Sequence, residues 1–377
     1  MATQASPDAP SIDEIPGTML AVQVVEFNKP YTIQRIPTPS LPLCPYDLLI
    51  KIATASLCHT DSMVSSGVFG TSLPCTASHE GAGTVVAVGS AIQDIKLGDR
   101  VLCGIIYHRC GECFDCKGPE ELRHHCEKAA YLGVKTHGAF AEYEVVDGRE
   151  CCVLPENVGF QTAAPLACAG VTVWGGLARA GLTAGETVAI VGAGGGLGHL
   201  GIQFAKALGL KVIAIDARDE ALQLAEDSGA DVVIDARQPK EKVVEEVKNA
   251  TGGMGADATI NVSDHTTAAA TAVAVTKMHR TVIQVAQPEN VCIPMPDLIF
   301  RDIRIHGSLI APRAEMQKML EIVSKHNIKV HTNPFNGLEE VPKAVELARS
   351  GKMKGKPVVL IDGKAIEKEK KSGLKMV

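Results

Sequence analysis

From residue 18 to about 165 the apolar positions fall in short strand-like runs, such as "TVVAVGS", "DRVLCGI" and "GAFAEYEVVD", each cut off by Gly or Pro. Such punctuation predicts an all-β, barrel-like domain. The character changes after "APLACAGVTVW". Between 187 and 310, apolar β-branched runs ("TVAIVG", "KVIAID", "DVVID", "DATINVS", "RTVIQVA", "IRIHGSLI") alternate with helix-like segments. In one of these, "LGHLGIQFAKALG", Ile202, Ala205 and Leu208 recur at helical spacing. Strands alternating with helices predict an α/β unit on a doubly wound parallel sheet. The closing "GLEEVPKAVELARSGKMKGKPVVLID" offers one amphipathic helix and a last strand, expected to return to the first domain. The expected organisation is thus a β-rich domain over 1–172, an α/β domain over 173–312 and a returning segment with a charged tail over 313–377. No repeat of solenoid period is visible.

Composition narrows the function more than the fold. A chain of 377 residues, 46% hydrophobic and 4% aromatic, suits a globular protein of about two domains. The formal charge of −6 offers no basic surface for a polyanion, and the C-terminal "EKEKKSGLKMV" reads as a charge-mixed, solvated tail, so nucleic acid is not an expected partner. "MATQASPDAPSIDEIPG" carries acids and prolines and no Arg, unlike a secretory or transit peptide, and a cytoplasmic address is expected. The uncharged windows 157–178 and 187–205 are broken by Pro165 and by Gly175, Gly176, Gly194, Gly195 and Gly196, so both read as buried structure and not as membrane spans.

Twelve cysteines in such a chain point to metal ligands, nucleophiles or buried apolar residues before disulfides. In "CGECFDCKGPEELRHHC", within the loop 108–128, Cys110, Cys113, Cys116 and Cys126 have Cys-x2-Cys-x2-Cys-x9-Cys spacing. A Gly-punctuated loop lets four sulfurs converge on one ion, and four thiolates with no open position fit a structural zinc. His124 or His125 is an alternative fourth ligand to Cys126.

"VGAGGGLG", residues 191–198, follows a strand and opens a helix. Gly192, Gly195 and Gly198 give G-x-x-G-x-x-G, one residue longer than the usual dinucleotide fingerprint. The physics survives, because bare glycines let the backbone approach a pyrophosphate seated on the helix N-terminus. Asp216 stands eighteen residues past Gly198, at the end of the second strand. Its carboxylate can bond ribose hydroxyls and would repel a 2′-phosphate, favouring NAD over NADP. Arg218 is the counter-signal, unless it is a solvated residue opening a helix with Asp219 and Glu220.

With a dinucleotide turn and a cysteine-rich metal loop in one chain, "LCHTD", residues 57–61, takes on meaning where the run "DLLIKIATAS" gives way to an expected loop. A catalytic zinc needs three protein ligands, an open position and outer carboxylates to orient its imidazole. Cys58, His79 in "SHEGAG" and Cys168 in "PLACAGVTVW" are candidates, with Glu80 beside the second. Each taken singly could equally be a small buried hydrophobe or a core histidine.

In "CHTD", "HEGAGTVVAVG", "GDRV", "CGECFDC", "PLACAGVTVW", "GAGGGLG", "VIAID" and "KGKPVV", in that order from about Gly17 to Asp362, the sequence resembles the zinc-containing medium-chain alcohol dehydrogenases, closest to the yeast and fungal members. The resemblance implies a GroES-like β-rich catalytic domain, a Rossmann NAD-binding domain and a cleft between them, in a homo-oligomer, dimer or tetramer. It assigns a catalytic zinc to Cys58, His79 and Cys168 with Glu80 behind the metal, and a structural zinc to Cys110, Cys113, Cys116 and Cys126. Thr60 becomes the hydroxyl that takes the alcohol proton, and Asp61 the outer partner of His79. His59 and Lys356 become contacts to cofactor phosphates, Thr172 a nicotinamide wall and Phe69 a pocket residue. Cofactor contacts are likewise expected at Gly192, Gly195, Gly196, Leu197, Gly198, Asp216 and Val285.

The implied reaction is reversible hydride transfer between a small alcohol and its aldehyde or ketone, with zinc lowering the alcohol's pKa and NAD taking the hydride. Thr60 has no useful pKa near neutrality, so it must relay the proton onward. The family often has a histidine where Met63 stands, which leaves the relay to end elsewhere, in water. Ser78 replaces a common glycine, the x9 spacing before Cys126 exceeds the usual seven, and Gln287 suggests a more polar environment near the nicotinamide or substrate. The rivals are a zinc-free, NADP-dependent quinone or enoyl reductase of the same superfamily, and a non-catalytic cofactor-binding protein. The first would not need Cys58, His79 and Cys168 together, and the second would have lost Thr60 or a ligand.

Overall fold

The computed structural model describes residues 15–374. The reading of the N-terminal seventeen residues lies mostly outside them. The chain divides into two compact units, one of residues 1–168, 312–324 and 331–377, the other of residues 169–311 and 325–330.

In the first unit the strand Asp47–Ser56 is the spine. It pairs antiparallel with Glu80–Val88, Tyr143–Asp147 and Lys356–Leu360, and nine of its ten residues are buried, which is why "DLLIKIATAS" reads as a continuous apolar run without alternation. The sheet order across it is Cys152–Val153, Arg100–Leu102, Glu80–Val88, Asp47–Ser56, Lys356–Leu360, Thr332–Asn336. Ile50, Ile52, Val85, Val101, Phe140 and Val359 fill the core against it. A smaller sheet joins Thr32–Pro37, Thr18–Val24 and Cys75–Thr76.

The expectation that 18–165 is β-rich holds, with one local correction. Residues His59–Ser65, read as loop, form a helix. The C-terminal "tail" needs correcting too: Gly363–Lys371 is a helix, its N-terminus capped by the Asp362 carboxylate, with Ile366 and Glu369 buried on one face. Charge density masked an i, i+3 pair that turns one side of this helix inward.

The second unit has a six-stranded, wholly parallel sheet in the order Val232–Asp235, Lys211–Asp216, Thr187–Val191, Ala256–Asn261, Thr276–Gln284, Arg304–Gly307. Chain order reverses beside Thr187–Val191, the crevice where doubly wound sheets take ligands at strand carboxyl ends. Ile202 and Ala205 are buried on the helix Gly198–Ala207, but Leu208 is 39% exposed. Gly209, at φ +78°, ends that helix and turns Leu208 out of the apolar face. Among the described residues, no helix is long and apolar enough to cross a membrane.

Candidate functional site

"LCHTD" becomes a helix start through Asp61. Its Oδ2 accepts the Cys58 N–H at 2.8 Å, closing a box over the first turn, and its Oδ1 accepts the Ser78 N–H at 2.8 Å. One buried carboxylate therefore ties together the two segments that carry Cys58 and His79. Both oxygens accept backbone N–H groups, the second that of Ser78 directly before His79, and the Asp61 charge acts on the His79 imidazole, whose Nδ1 has no hydrogen-bond partner among the described residues.

Ser78 sits at φ +69°, in the left-handed region. Its hydroxyl donates to the Ser56 carbonyl at 2.8 Å and accepts the Glu80 N–H at 3.2 Å. His79 is 4% exposed. Glu80, which opens the strand Glu80–Val88, is fully buried, with Lys356 Nζ 2.7 Å from its Oε2 and 2.9 Å from its Oε1. Lys356 also donates to the Leu57 carbonyl at 2.9 Å. These are partners other than the phosphate expected of it. Cys168 lies in a wide π turn, Leu166–Gly170, directly after the helix Phe160–Pro165. Pro165 has no N–H to close the α-helical ladder there, and such widened turns are frequent at functional sites.

The ligand atoms of Cys58, His79, Glu80 and Cys168 all lie within 4.8 Å of one another. The Cys58 thiol falls well below its ordinary pKa because Cys168 hydrogen-bonds to it, with Lys356 and His79 adding; Cys168, the other end of that bond, rises well above. Burial would push the His79 imidazole down, but Cys58, Asp61 and Glu80 outweigh it and hold it at about 9. Burial pushes Asp61 up, and Glu80 too despite Lys356. Two sulfurs and one imidazole crowded in a low-dielectric pocket suit a divalent cation of zinc's softness with one position left over, and the Glu80 carboxylate lies beside them. Thr60 is half-buried, its Oγ1 3.8 Å from Cys58 Sγ, whereas His59 is exposed. Phe69, expected to line the pocket, packs partly buried against the Val24, Val64 and Val134 cluster.

Cys110, Cys113, Cys116 and Cys126 form a second group of the same tightness. It includes Cys126 and neither His124 nor His125. Cys110 Sγ accepts the Glu112 and Cys113 amides at 3.5 and 3.4 Å, which lowers its pKa to about 6. Backbone N–H groups aimed at sulfur favour thiolates, the form that binds metal.

In the second unit the strand Thr187–Val191 leads into Gly192 at φ +86° and then the helix Gly198–Ala207. A Cβ on Gly198 would lie 2.3 Å from the Gly192 carbonyl oxygen, and one on Gly194 1.8 Å from that of Ala221. Gly195, Gly196 and Leu197 complete the turn, a backbone cradle that fits a pyrophosphate. Asp216 is held in place, its Oδ2 accepting the Gly194 N–H at 2.9 Å and its Oδ1 that of Ala217 at 2.8 Å. Val285 is buried, its N–H on the Asn261 carbonyl, and Thr172 is buried in the helix Val171–Ala180.

Sequence reasoning missed Gly194 as part of the cradle, and it missed Glu144, a buried acid whose oxygens have no hydrogen-bond partner among the described residues. Burial lifts Glu144 well above the usual carboxylate range. Gly81 faces it across 3.1 Å from an added Cβ to Oε2, a sequence signal only in hindsight.

Two family models match this chain, the alcohol dehydrogenase GroES-like domain over residues 44–156 and the zinc-binding dehydrogenase over 196–325. An alcohol dehydrogenase of Rhizobium meliloti is 34% identical over 349 residues, 92% of this chain and 100% of that one. The chain belongs to the zinc-containing medium-chain alcohol dehydrogenase family. Alcohol dehydrogenase 1 of Emericella nidulans is 33% identical over 91% of this chain and 98% of its own. The crystal structure of the Aeropyrum pernix alcohol dehydrogenase superposes with a TM-score of 0.81 at 28% identity, covering 90% of this chain and 99% of that one. Like its family, the chain is an oxidoreductase of the alcohol dehydrogenase type with a GroES-like and a Rossmann-type part.

Proposed function

We propose that this chain is a zinc-dependent, NAD-linked alcohol dehydrogenase with two zinc ions, one at Cys58, His79 and Cys168 and one at Cys110, Cys113, Cys116 and Cys126. The observation that carries the reading is the convergence of Cys58, His79, Glu80 and Cys168 within 4.8 Å. A zinc-free reductase has no use for that set, and a non-catalytic relative has no use for Thr60 beside it.

When bound, zinc supplies Lewis acidity to an alcohol oxygen and the nicotinamide supplies a hydride acceptor. The rest is done by the protein. Cys58, Cys168 and His79 would hold the zinc and leave it open to substrate. Asp61 and Ser78 keep the Cys58 and His79 segments in register, and Lys356 holds the Glu80 carboxylate beside the group. Thr60 Oγ1, near Cys58 Sγ, is placed to accept the substrate proton and hand on its own. His59 is read as a phosphate contact, since it is exposed at the start of the helix beside Cys58. Asp216, Thr172, Val285 and the cradle of Gly192, Gly195, Gly196, Leu197 and Gly198 are read as cofactor contacts. The exposed strand Arg304–Gly307, last in the order of its sheet, supports a homo-oligomer. Twelve free cysteines support a reducing, cytoplasmic setting.

Elemental analysis of freshly purified protein should find two zinc ions per chain, and a panel of alcohols followed at the NADH absorbance should show turnover. Cys168→Ser should abolish turnover and leave the fold, whereas Cys113→Ser should cost stability, because closed sites contribute to folding. Full activity in protein without zinc would overturn the proposal.

A further inference from the structure

The helix Phe160–Pro165 begins at Gly159, which has no side chain to cap the first turn. The cap comes from the far end of the chain. Glu369, on the C-terminal helix Gly363–Lys371, is 4% exposed and accepts the Phe160 N–H with both oxygens, at 3.0 and 3.2 Å. Gly159 makes room for it: a Cβ there would come 3.1 Å from Glu369 Oε2. Arg100 completes the arrangement. Its guanidinium bonds Glu369 and the Val158 carbonyl, and stacks 4.9 Å from the centre of the Phe160 ring. The carboxylate also lies where a helix N-terminus favours negative charge.

What this capped segment carries is Cys168. From Phe160 the backbone is helical through Pro165 and then through the π turn Leu166–Gly170, so Cys168 lies about 12 Å along a stiff rod at 1.5 Å per residue. The ladder is short of a bond at Pro165, so the rod depends on its anchored start.

We propose that Glu369 is a positioning residue for Cys168: the C-terminal helix sets where this sulfur stands relative to Cys58 and His79. This rests on the reading of Cys58, His79 and Cys168 as the open zinc site. Only Cys168 of the three hangs from this helix; Cys58 and His79 are fixed by Asp61. Loss of the cap should therefore loosen one corner of the open site and leave the four-cysteine site untouched.

The test is zinc release from the holoenzyme into 4-(2-pyridylazo)resorcinol, for wild type, Glu369→Ala, Glu369→Gln and the exposed-residue control Glu367→Ala. Wild type should release zinc in a fast and a slow phase. Glu369→Ala should speed the fast phase about tenfold, the effect usual for groups that orient metal ligands, with the slow phase unchanged. Glu369→Gln, which keeps an oxygen for the Phe160 N–H, should fall between, and Glu367→Ala should match wild type. Alkylation of the zinc-stripped proteins by iodoacetamide, read by peptide mass spectrometry, should show Cys168 changed relative to Cys58 in Glu369→Ala. A lowered Tm with the fast phase and the Cys168-to-Cys58 alkylation ratio both as in wild type would make Glu369 a stabilising residue only and overturn the proposal. A wild type with no fast zinc phase would instead overturn the open-site reading, and the alkylation ratio alone would then decide whether Glu369 positions Cys168.

Discussion

Ser78 sits at φ +69°, in the left-handed region that favours glycine, where a side chain costs about 1–2 kcal/mol. Ser78→Gly releases that strain. It also deletes the hydroxyl that donates to Ser56 and accepts from Glu80, two bonds of about 0.5–1.5 kcal/mol net each. Glycine adds about 0.5–1 kcal/mol through the freedom of the unfolded chain. The losses sum to about 1.5–4 kcal/mol against a gain of about 1–2, so the variant should be destabilised by about 1 kcal/mol. Ser78→Ala keeps the strain and loses the same bonds without the entropy term, about 1–3 kcal/mol above the strain already present. The difference between the variants is thus strain relief less chain entropy, which favours Gly over Ala by about 0.5–1 kcal/mol. Urea midpoints should rank wild type, then Gly, then Ala, at a common slope. An alanine variant as stable as the glycine variant would mean that no strain is held at Ser78.

On the proposed NAD-linked reading, Asp216→Ser should narrow a preference for NAD in kcat/KM by removing the charge that would repel a 2′-phosphate; equal use of NADP by the unmodified enzyme would give the pocket to Arg218. Gly194→Ala drives a Cβ to within 1.8 Å of the Ala221 oxygen, backbone against backbone, and should cost about 3 kcal/mol and weaken NADH binding in a fluorescence titration. Burial lifts Glu150 from 4.5 to about 7, more than Arg109 can offset. An acid raised on folding stabilises below its unfolded pKa and loses that contribution as pH climbs through the folded value. Wild type should therefore lose stability relative to Glu150→Gln as pH rises from 4.5 through about 7, and parallel stability curves would show that Glu150 does not titrate there.

The two architectures were legible because each announces itself within a short window. Six β-branched runs between helical segments leave little choice but a parallel sheet, and the four-cysteine loop closes within seventeen residues. Short-range rules failed where a distant group decides. "LCHTD" looked like loop because its helix is held by one carboxylate that also reaches Ser78, and "EKEKKSG" looked like a solvated tail because the partners of Glu369, Arg100 and Phe160, lie more than two hundred residues earlier. Leu208 fitted the helical period but lies past its end, where a glycine at positive φ intervenes.

The same distinction runs through the site. Ligand chemistry is carried by residue type, so Cys58, His79 and Cys168 could be nominated from sequence. What orients them is carried by pairs that no spacing rule connects: Asp61 with Ser78, Lys356 with Glu80 across 276 positions, Glu369 with Phe160 across 209. Each pair joins a charged or capping group to a main-chain segment that bears, or directly adjoins, a ligand. A metal site with an open corner cannot draw its geometry from the metal alone, because three ligands leave the fourth direction to substrate. The protein must supply that geometry from buried charge. In the four-cysteine loop, by contrast, an ion bound as proposed would supply it, and the loop would need only local amide-to-sulfur bonds. The open site is therefore where distant substitutions such as Glu369→Ala should be felt, and the closed one where they should not.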